Sequence, residues 1–294
     1  GDTIMVKDIV STKFFLGTAD AVWMTLDIID FGGEPEWFNI ANEDNSGFVG
    51  HAQAMGISAD ANFAFVGTME GELYRLANIK YAYDFERADV TSPFCVISTA
   101  KITLPTTQVI TSVSVDPQNA DNVIITCGNY GNSTYVLRST NATSANPTFT
   151  SIQGNLPLMP VYSSVIEMSD PNVVIIGTDM GMYMTENVGS ASPEWTAMTA
   201  DVGSVPVFDL SQQLVAKETV TIKYWDGVDT LVEQYPGTSN FGVIYAATYG
   251  RGLHMTRYFE KPVGIFNPDV EVQASSLKVF PNPVSSTATL EYNL

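Results

Sequence analysis

Apolar positions along this chain come in short runs, and turn residues close almost every run. The stretch Pro171–Trp195, PNVVIIGTDMGMYMTENVGSASPEW, shows the unit most clearly. An apolar run from Val173 to Ile176 meets Gly177-Thr178, a tight turn follows, and a second run covers Met182–Met184. Thr185, Glu186 and Asn187 then open a polar loop that closes on Trp195. Runs this short, bounded by Gly, Asn and Pro, predict two hairpin strands, a loop and a third strand. No amphipathic helical run of useful length interrupts the pattern.

The unit recurs. Phe15-Leu16-Gly17-Thr18 leads to Trp23-Met24-Thr25, Asp27 and Trp37, and Phe65-Val66-Gly67-Thr68 leads to Gly71 and Leu73-Tyr74-Arg75. Ile124 to Cys127 leads to Tyr135–Ser139, Asn141 and Phe149. Tyr245-Ala246-Ala247-Thr248 leads to Gly252 and Leu253–Thr256. Aligned in this way, the anchor positions are Gly17, Gly67, Cys127, Gly177 and Ala247, spaced 50, 60, 50 and 70 residues apart. Four short strands repeating every ~40–50 residues predict the blades of a β-propeller, with insertions in the wider gaps. The fold class is all-β, with antiparallel four-stranded blades.

Strand by strand, the first blade takes Ile4–Ile9, Phe14–Thr18, Ala21–Thr25 and Glu36–Ile40. The second takes Gln53–Ser58, Phe63–Gly67, Glu72–Leu76 and, after an insertion at Ala77–Ser92, Phe94–Leu104. The third takes Ile110–Val115, Val123–Cys127, Thr134–Arg138 and Thr148–Ile152. The fourth takes Tyr162–Met168, Val173–Gly177, Gly181–Thr185 and Glu194–Met198. The fifth takes Val205–Asp209, Val243–Thr248 and Leu253–Tyr258, with no fourth strand evident. Two alternating runs, Thr219–Trp225 and Thr230–Tyr235, flank Asp226-Gly227 and predict a hairpin inserted into that blade. The propeller thus occupies residues 1–258 and a linker with Pro262 and Pro268 covers 259–276. Residues 277–294 begin something new, a strand, a Pro-kinked break and a strand.

Charge narrows the partners. The chain has 294 residues, with 13 basic against 32 acidic and a net charge of −19. That balance excludes nucleic acid, which needs basic clusters on its phosphates, and disfavours an anionic membrane surface. No apolar run is long enough to span a bilayer. The chain opens on Gly1-Asp2 just before an apparent strand, as a processed or truncated sequence would. Its two cysteines, Cys95 and Cys127, make no disulfide framework. Cys127 at an anchor position reads as a small buried thiol, with a Cys95–Cys127 bridge as the alternative. Two cysteines and two histidines give no metal site, and no cofactor motif is present.

Candidate chemistry is sparse. Glycoside hydrolysis needs two carboxylates about 5–10 Å apart. Turns between second and third strands reach the face where inner strands begin, which places Asp20, Glu70 and Asp179 there. Asp60, Asp116 and Asp170 fall in turns on the opposite face and read as turn formers. The five arginines, Arg75, Arg87, Arg138, Arg251 and Arg257, are scattered rather than clustered on a substrate carboxylate. His254 sits in an apolar strand and reads as packed, and His51 follows a Gly-rich turn and reads as solvated. No residue is assigned as catalytic. The insertions add Tyr81, Tyr83, Phe85, Tyr224, Trp225 and Tyr235, which either contact a ligand or pack the insertions onto the ring.

Three loops resemble degenerate Asp boxes: Thr25, Asp27 and Trp37; Ser139, Asn141 and Phe149; and Thr185, Asn187 and Trp195. In that motif a side-chain oxygen accepts backbone N–H groups of a turn between the third and fourth strands, and an aromatic ring plugs the gap between sheets. The resemblance makes these nine residues scaffold. Together with Val115-Asp116-Pro117, Gly154-Asn155-Leu156-Pro157 and Ala247–Gly252, it points to the sialidase-like and sortilin-like propellers, a group that includes xyloglucan-degrading glycosidases. Such families usually have more blades, so the five units are expected to be part of a ring of about seven or eight. A five-bladed ring closed by a strand from the far end of the chain is the alternative.

The tail Lys278-Val279-Phe280-Pro281-Asn282-Pro283-Val284 is similar to the opening of the C-terminal sorting domain of the type IX secretion system of Bacteroidetes. The resemblance implies export across the outer membrane, a partnership with the secretion machinery, and a secreted or cell-surface location. The function expected is a binding or structural module, with a glycan or protein ligand on the propeller face. The alternative is a carbohydrate-active hydrolase of the sialidase-like or xyloglucanase-like type.

Overall fold

The computed structural model describes residues 13–25, 28, 33–82, 96–198, 202–225, 230–261, 277–280 and 289–292. The predicted strand Ile4–Ile9, together with Asp27, Cys95 and Pro281–Val284, lies outside them. The chain divides into two compact units at Val215/Ala216, Ser239/Asn240 and Lys261/Pro262.

The larger unit is a succession of antiparallel meanders. Blade 1 contains β1 (Phe14–Gly17), β2 (Ala21–Thr25) and β3 (Trp37–Asn42). Blade 2 is β4 (Ala52–Ile57), β5 (Phe63–Thr68), β6 (Leu73–Ala77) and β7 (Ser98–Ile102). Blade 3 is β8 (Ile110–Asp116), β9 (Asn119–Cys127), β10 (Val136–Ser139) and β11 (Thr150–Ser151). Blade 4 is β12 (Val161–Ile166), β13 (Val174–Thr178), β14 (Gly181–Thr185) and β15 (Thr196–Ala197). Blade 5 joins β16 (Val207–Gln212) to β19 (Ile244–Thr248) and β20 (Gly252–Thr256). Ala216–Ser239, between β16 and β19 in sequence, belongs to the smaller unit; there β17 (Val220–Trp225) pairs with β18 (Thr230–Tyr235), from Val220↔Tyr235 to Trp225↔Thr230. Among the described residues helix is confined to single turns such as α1 (Glu43–Ser46) and α2 (Ile79–Ala82). The described residues therefore form five blades of a β-propeller.

Burial explains why the strands read as unbroken apolar runs. A blade is covered on both faces by its neighbours, so both sets of alternating side chains are dry. In β9 Ile124 packs toward blade 4 with Val174, Ile176 and Trp195, while Val123 and Ile125 pack toward blade 2 with Phe65 and Leu73. In β13 Val174 and Ile176 face blade 3, while Ile175 faces blade 5 with Val207, Leu210 and Ile244. Blades 1 and 2 share a fourth core built on Met24, Phe38, Val66 and Tyr74. Each core thus belongs to one pair of adjacent blades.

The anchors sit where the next blade crowds in. A Cβ on Gly17 would stand 2.6 Å from Ala52 Cβ, and one on Gly67 would stand 2.4 Å from Ile110 Cγ2. One on Gly177 would stand 2.6 Å from the Val207 carbonyl oxygen. Ala52, Ile110 and Val207 are the first residues of the following inner strands. The pairing corrects the third anchor. Gly67 pairs with Ala54, Gly177 with Ser163 and Ala247 with Asp209, but in blade 3 the equivalent partner of Ser112 is Thr126, not Cys127. Cys127 matches Thr68, Thr178 and Thr248 instead. The offset was hidden because Cys127, an apolar residue, ends β9 where Thr68, Thr178 and Thr248 end the other second strands, so the last small apolar residue of the run lies one place further along. Thr126 fits because its Oγ1 meets Thr111 Oγ1 at 2.9 Å, which in turn donates to the Val161 carbonyl at 2.5 Å.

In the smaller unit, β21 (Leu277–Phe280) pairs with β22 (Thr289–Tyr292), from Leu277↔Tyr292 to Phe280↔Thr289.

Candidate functional site

Every inner strand from blade 2 to blade 5 breaks register at the same place. The shifts lie between Ala52 and Ala54, Ile110 and Ser112, Val161 and Ser163, and Val207 and Asp209. The extra residues are Gln53, Thr111, Tyr162 and Phe208. A bulge of this kind re-aims the side chain of the inserted residue. It also lies beside the turn that follows the second strand. Met69, Gly128, Asp179 and Tyr249 each donate a backbone N–H to the residue before their own inner strand, namely to His51, Val109, Pro160 and Pro206. Inner-strand starts and second-to-third-strand turns therefore share one face, as the positions of Asp20, Glu70 and Asp179 require.

Bulge and turn together build an aromatic row on that face. Tyr162 and Phe208 lie 5.0 Å apart between ring centroids, and Phe208 meets Tyr249 edge-on at 6.0 Å. Asp179 ties a fourth ring into the row. Its Oδ1 accepts from the Tyr162 hydroxyl at 2.9 Å and its Oδ2 from the Tyr130 hydroxyl. Burial first, and then the Asp179 carboxylate, push the Tyr162 hydroxyl up to about 12. Tyr162 thus stays a neutral donor. The row is open to solvent: Tyr130 is 65%, Phe208 49% and Tyr249 69% exposed, with Leu158 and Met180 also exposed. The sequence carried this signal in the second residue of each inner strand, which shows only when the inner strands are aligned with one another.

Glu70 takes a different partner. Its Oε1 meets His51 Nδ1 at 2.6 Å, and its Oε2 accepts the His51 backbone N–H at 2.9 Å. The hydrogen bond and the charge of Glu70 raise the His51 pKa, and Asp20 adds to the effect through its charge. His51 in turn lowers the pKa of Glu70. Glu70 and Asp179 are engaged separately, one by a histidine and one by two tyrosines. Behind the face, the four inner strands β4, β8, β12 and β16 line an open pocket of about 500 Å³. Its wall is rich in hydroxyls: Ser164 Oγ lies 3.4 Å from Ser112 Oγ and 2.7 Å from Ser114 Oγ, and Ser163 donates toward Asp209 at 3.5 Å.

The opposite face carries turns. Asp60 Oδ1 accepts from Ser58 Oγ and Asn62 N, Asp116 Oδ1 from Gln118 N, and Asp170 Oδ1 from Asn172 N. These acids close the turns between first and second strands, as their sequence context predicts.

The loops between third and fourth strands follow one scheme in blades 3 and 4. Asn141 Oδ1 accepts from Thr148 N at 2.9 Å, and Asn187 Oδ1 accepts from Glu194 N at 3.2 Å. Ser139 and Thr185, both buried, accept the backbone N–H of Asn141 and Asn187 through their hydroxyls. Phe149 and Trp195 follow and are buried between blades. Trp195 Nε1 donates to Ile152 O at 3.0 Å, and Asn155 clamps the Trp195 backbone at N and O. Gly154 is needed beside it, since at φ +50 a Cβ would fall 1.9 Å from Pro193 O. In blade 1 Trp37 pairs with buried Thr25 but stays half-buried, edge-on to Phe14 at 6.0 Å. No sheet precedes blade 1 among the described residues, so no neighbouring face covers this ring as blades 2 and 3 cover Phe149 and Trp195.

Cys127 is a buried free thiol, and burial pushes it up to about 12. Among the described residues no group of three or more His, Cys, Asp or Glu residues could hold a metal ion. No described helix is long and apolar enough to cross a membrane. Of the insertion aromatics, Tyr235 is exposed, and Tyr83 and Phe85 lie outside the described residues. Lys278, Val279 and Phe280 fall on β21, and the rest of the sorting-like motif lies outside the described residues.

No family model matches the sequence, and no curated protein matches it. Solved structures do. The chain is similar to the β-propeller domain of Cps50 (Swd1) from Myceliophteria thermophila, with 8% identity and a TM-score of 0.48 over 83% of this chain and 79% of that one. It is similar to Sqt1 from Chaetomium thermophilum, solved with the N-terminus of a ribosomal protein, with 14% identity and a TM-score of 0.47 over 82% of this chain and 57% of that one. It is also similar to a GH74 xyloglucanase from Xanthomonas campestris, with 13% identity and a TM-score of 0.42 over 83% of this chain and 30% of that one. The β-propeller architecture stands on the chain's own sheets, and these neighbours share it.

Proposed function

We propose that this chain is a binding or structural module of a secreted or cell-surface protein, and that it engages a glycan or protein through the Tyr130–Tyr162–Phe208–Tyr249 row. One observation carries the reading: four rings, three of them exposed, form a row on the face where the inner strands begin, two of them donating to the Asp179 carboxylate and the others joined by ring contacts. Aromatic rings give large contact area at low entropic cost and accept both sugar faces and protein side chains. Tyr162 and Phe208 rest on strand bulges and Tyr130 and Tyr249 on the adjoining turns, so little ordering is needed on binding. Glu70 and Asp179 are held by His51 and by two tyrosines, which suits a recognition surface better than a pair of carboxylates poised across a glycosidic bond.

Export by the type IX system is the second half of the proposal. Its support is the motif Lys278–Val284 and the β21–β22 pairing around it. In the same way, the shared loop scheme of Asn141 and Asn187 supports the reading of these loops as degenerate Asp boxes. Two experiments test the proposal. Replacing Phe208 and Tyr249 together by alanine should abolish retention on immobilised surface glycans or proteins of the producing cell, with the fold intact. Deleting 277–294 in the native host should leave the propeller inside the outer membrane. Unchanged retention refutes the binding face, and normal surface delivery refutes the sorting role.

A further inference from the structure

The gap between blades 4 and 5 encloses a second cavity, of about 240 Å³. Its wall is chiefly apolar, with Ile175, Val202 and Ile244, but four residues with sulfur or nitrogen donors also line it: Met182, Met198, His254 and the exposed Met255. The β14–β15 register places Met182 opposite Met198, since Tyr183 pairs with Ala197 and Met198 N donates to Met182 O at 2.8 Å. Residues so placed share a face, with Cβ atoms about 4.5–5.5 Å apart. Both methionines pack on the core between blades 4 and 5, so this pair faces blade 5. On the far wall His254 pairs with Ala246, a member of the same core, which turns the imidazole toward blade 4. His254 Nε2 is shielded from solvent and meets no hydrogen-bond partner among the described residues. A nitrogen orphaned in an apolar wall calls for an explanation, and an ion is one.

The donor set selects the ion. Two thioethers and one imidazole are soft or borderline ligands, and such sites take Cu(I). The lining holds no carboxylate and no thiolate, so hard cations such as Mg²⁺ find no anionic oxygen there. Methionine has three rotatable bonds, which lets the two sulfur atoms converge on one point from a fixed backbone. We propose that Met182, Met198 and His254 form a three-ligand site for Cu(I), and that the bound ion clasps blade 5 to blade 4. The site is independent of the aromatic face.

Silver(I), a redox-inert stand-in for Cu(I), is the probe. The full chain, with methionine methyls isotopically labelled and Cys95→Ser to remove a competing thiol, is titrated with silver nitrate and followed by NMR. One equivalent should shift the Met182 and Met198 methyl signals and leave those of the exposed Met69 and Met180 in place. Met182→Leu with Met198→Leu, a volume-conserving pair, should weaken binding at least about tenfold. Zinc(II) at the same concentration should leave the two methyls unmoved. The assignment is overturned if neither methyl shifts at one equivalent, if Met69 and Met180 shift first, if the double leucine variant binds as tightly, or if zinc(II) reproduces the response.

Discussion

Replacing an anchor glycine by alanine tests the packing that sets the repeat. At Gly67 the new methyl would lie 2.4 Å from Ile110 Cγ2 and 2.7 Å from its Cβ. Ordinary carbon contacts are about 3.5–4.0 Å, so Ile110 must retreat by roughly 1 Å. Ile110 is fully buried in the core between blades 2 and 3. Overpacking of this kind costs about 1–3 kcal/mol. Alanine returns roughly 0.5–1 kcal/mol by losing less backbone freedom on folding than glycine. The net loss expected for Gly67→Ala is thus about 1–2 kcal/mol. At Gly177 the nearest obstacle is the Val207 carbonyl oxygen at 2.6 Å, which is backbone and cannot rotate aside. Gly177→Ala should therefore sit at the upper end, a net loss of about 2–2.5 kcal/mol. Gly33, with nothing within 4 Å of a built Cβ, is the control and should be neutral within ~0.5 kcal/mol. Equilibrium urea unfolding reads all three. Truncating Ile110 to alanine should recover part of the Gly67→Ala loss, with a coupling of about 1 kcal/mol in the double-mutant cycle. A neutral Gly67→Ala, or a Gly33→Ala as damaging as Gly177→Ala, would refute the reasoning.

The His51–Glu70 pair makes a pH prediction. Glu70 raises the His51 pKa, so the pair's contribution to stability is full below the unfolded value near 6.5 and disappears as pH rises through the higher folded value. On the acid side, the lowered Glu70 pKa keeps the contribution above the ordinary carboxylate value and loses it as pH falls through the folded one. An NMR titration should show the His51 midpoint above 6.5 and falling in Glu70→Gln; an unmoved midpoint would remove the pair. Cys127, pushed up to about 12 by burial, should resist alkylation in the native protein at pH 8 and react on unfolding. Rapid native labelling at Cys127 would contradict its burial. The chain should not turn over sialosides or β-glucans, and turnover abolished by Glu70→Gln or Asp179→Asn would overturn the binding reading.

Much of the fold was legible because the repeat imposes the same physical demand on every blade. Runs such as Val174–Ile176 are apolar throughout because both faces meet a neighbouring sheet, and Gly67 and Gly177 recur because the next inner strand leaves no room for a Cβ. The offset at Thr126 was not legible. A hydroxyl can fill that place only through the Thr111–Val161 hydrogen-bond chain, which is a contact between residues far apart in sequence. The outer strands β11 and β15 proved two residues long where five were expected, and the residues just before them, Phe149 and Trp195, are buried in the cores. Acid positions on the two faces followed from turn placement alone. The aromatic row did not, since bulges place Tyr162 and Phe208, and the mark of a bulge shows only when the inner strands are aligned with one another.

Site-specific photo-crosslinking in the producing cell tests the central claim most directly. A photoreactive amino acid at position 249, on the aromatic face, is compared with one at position 60, on the opposite face. The account predicts a discrete adduct with a cell-surface glycan or protein at 249, lost when Phe208 is replaced by alanine, and none at 60. Equal labelling at both positions, or no adduct at 249, would contradict it.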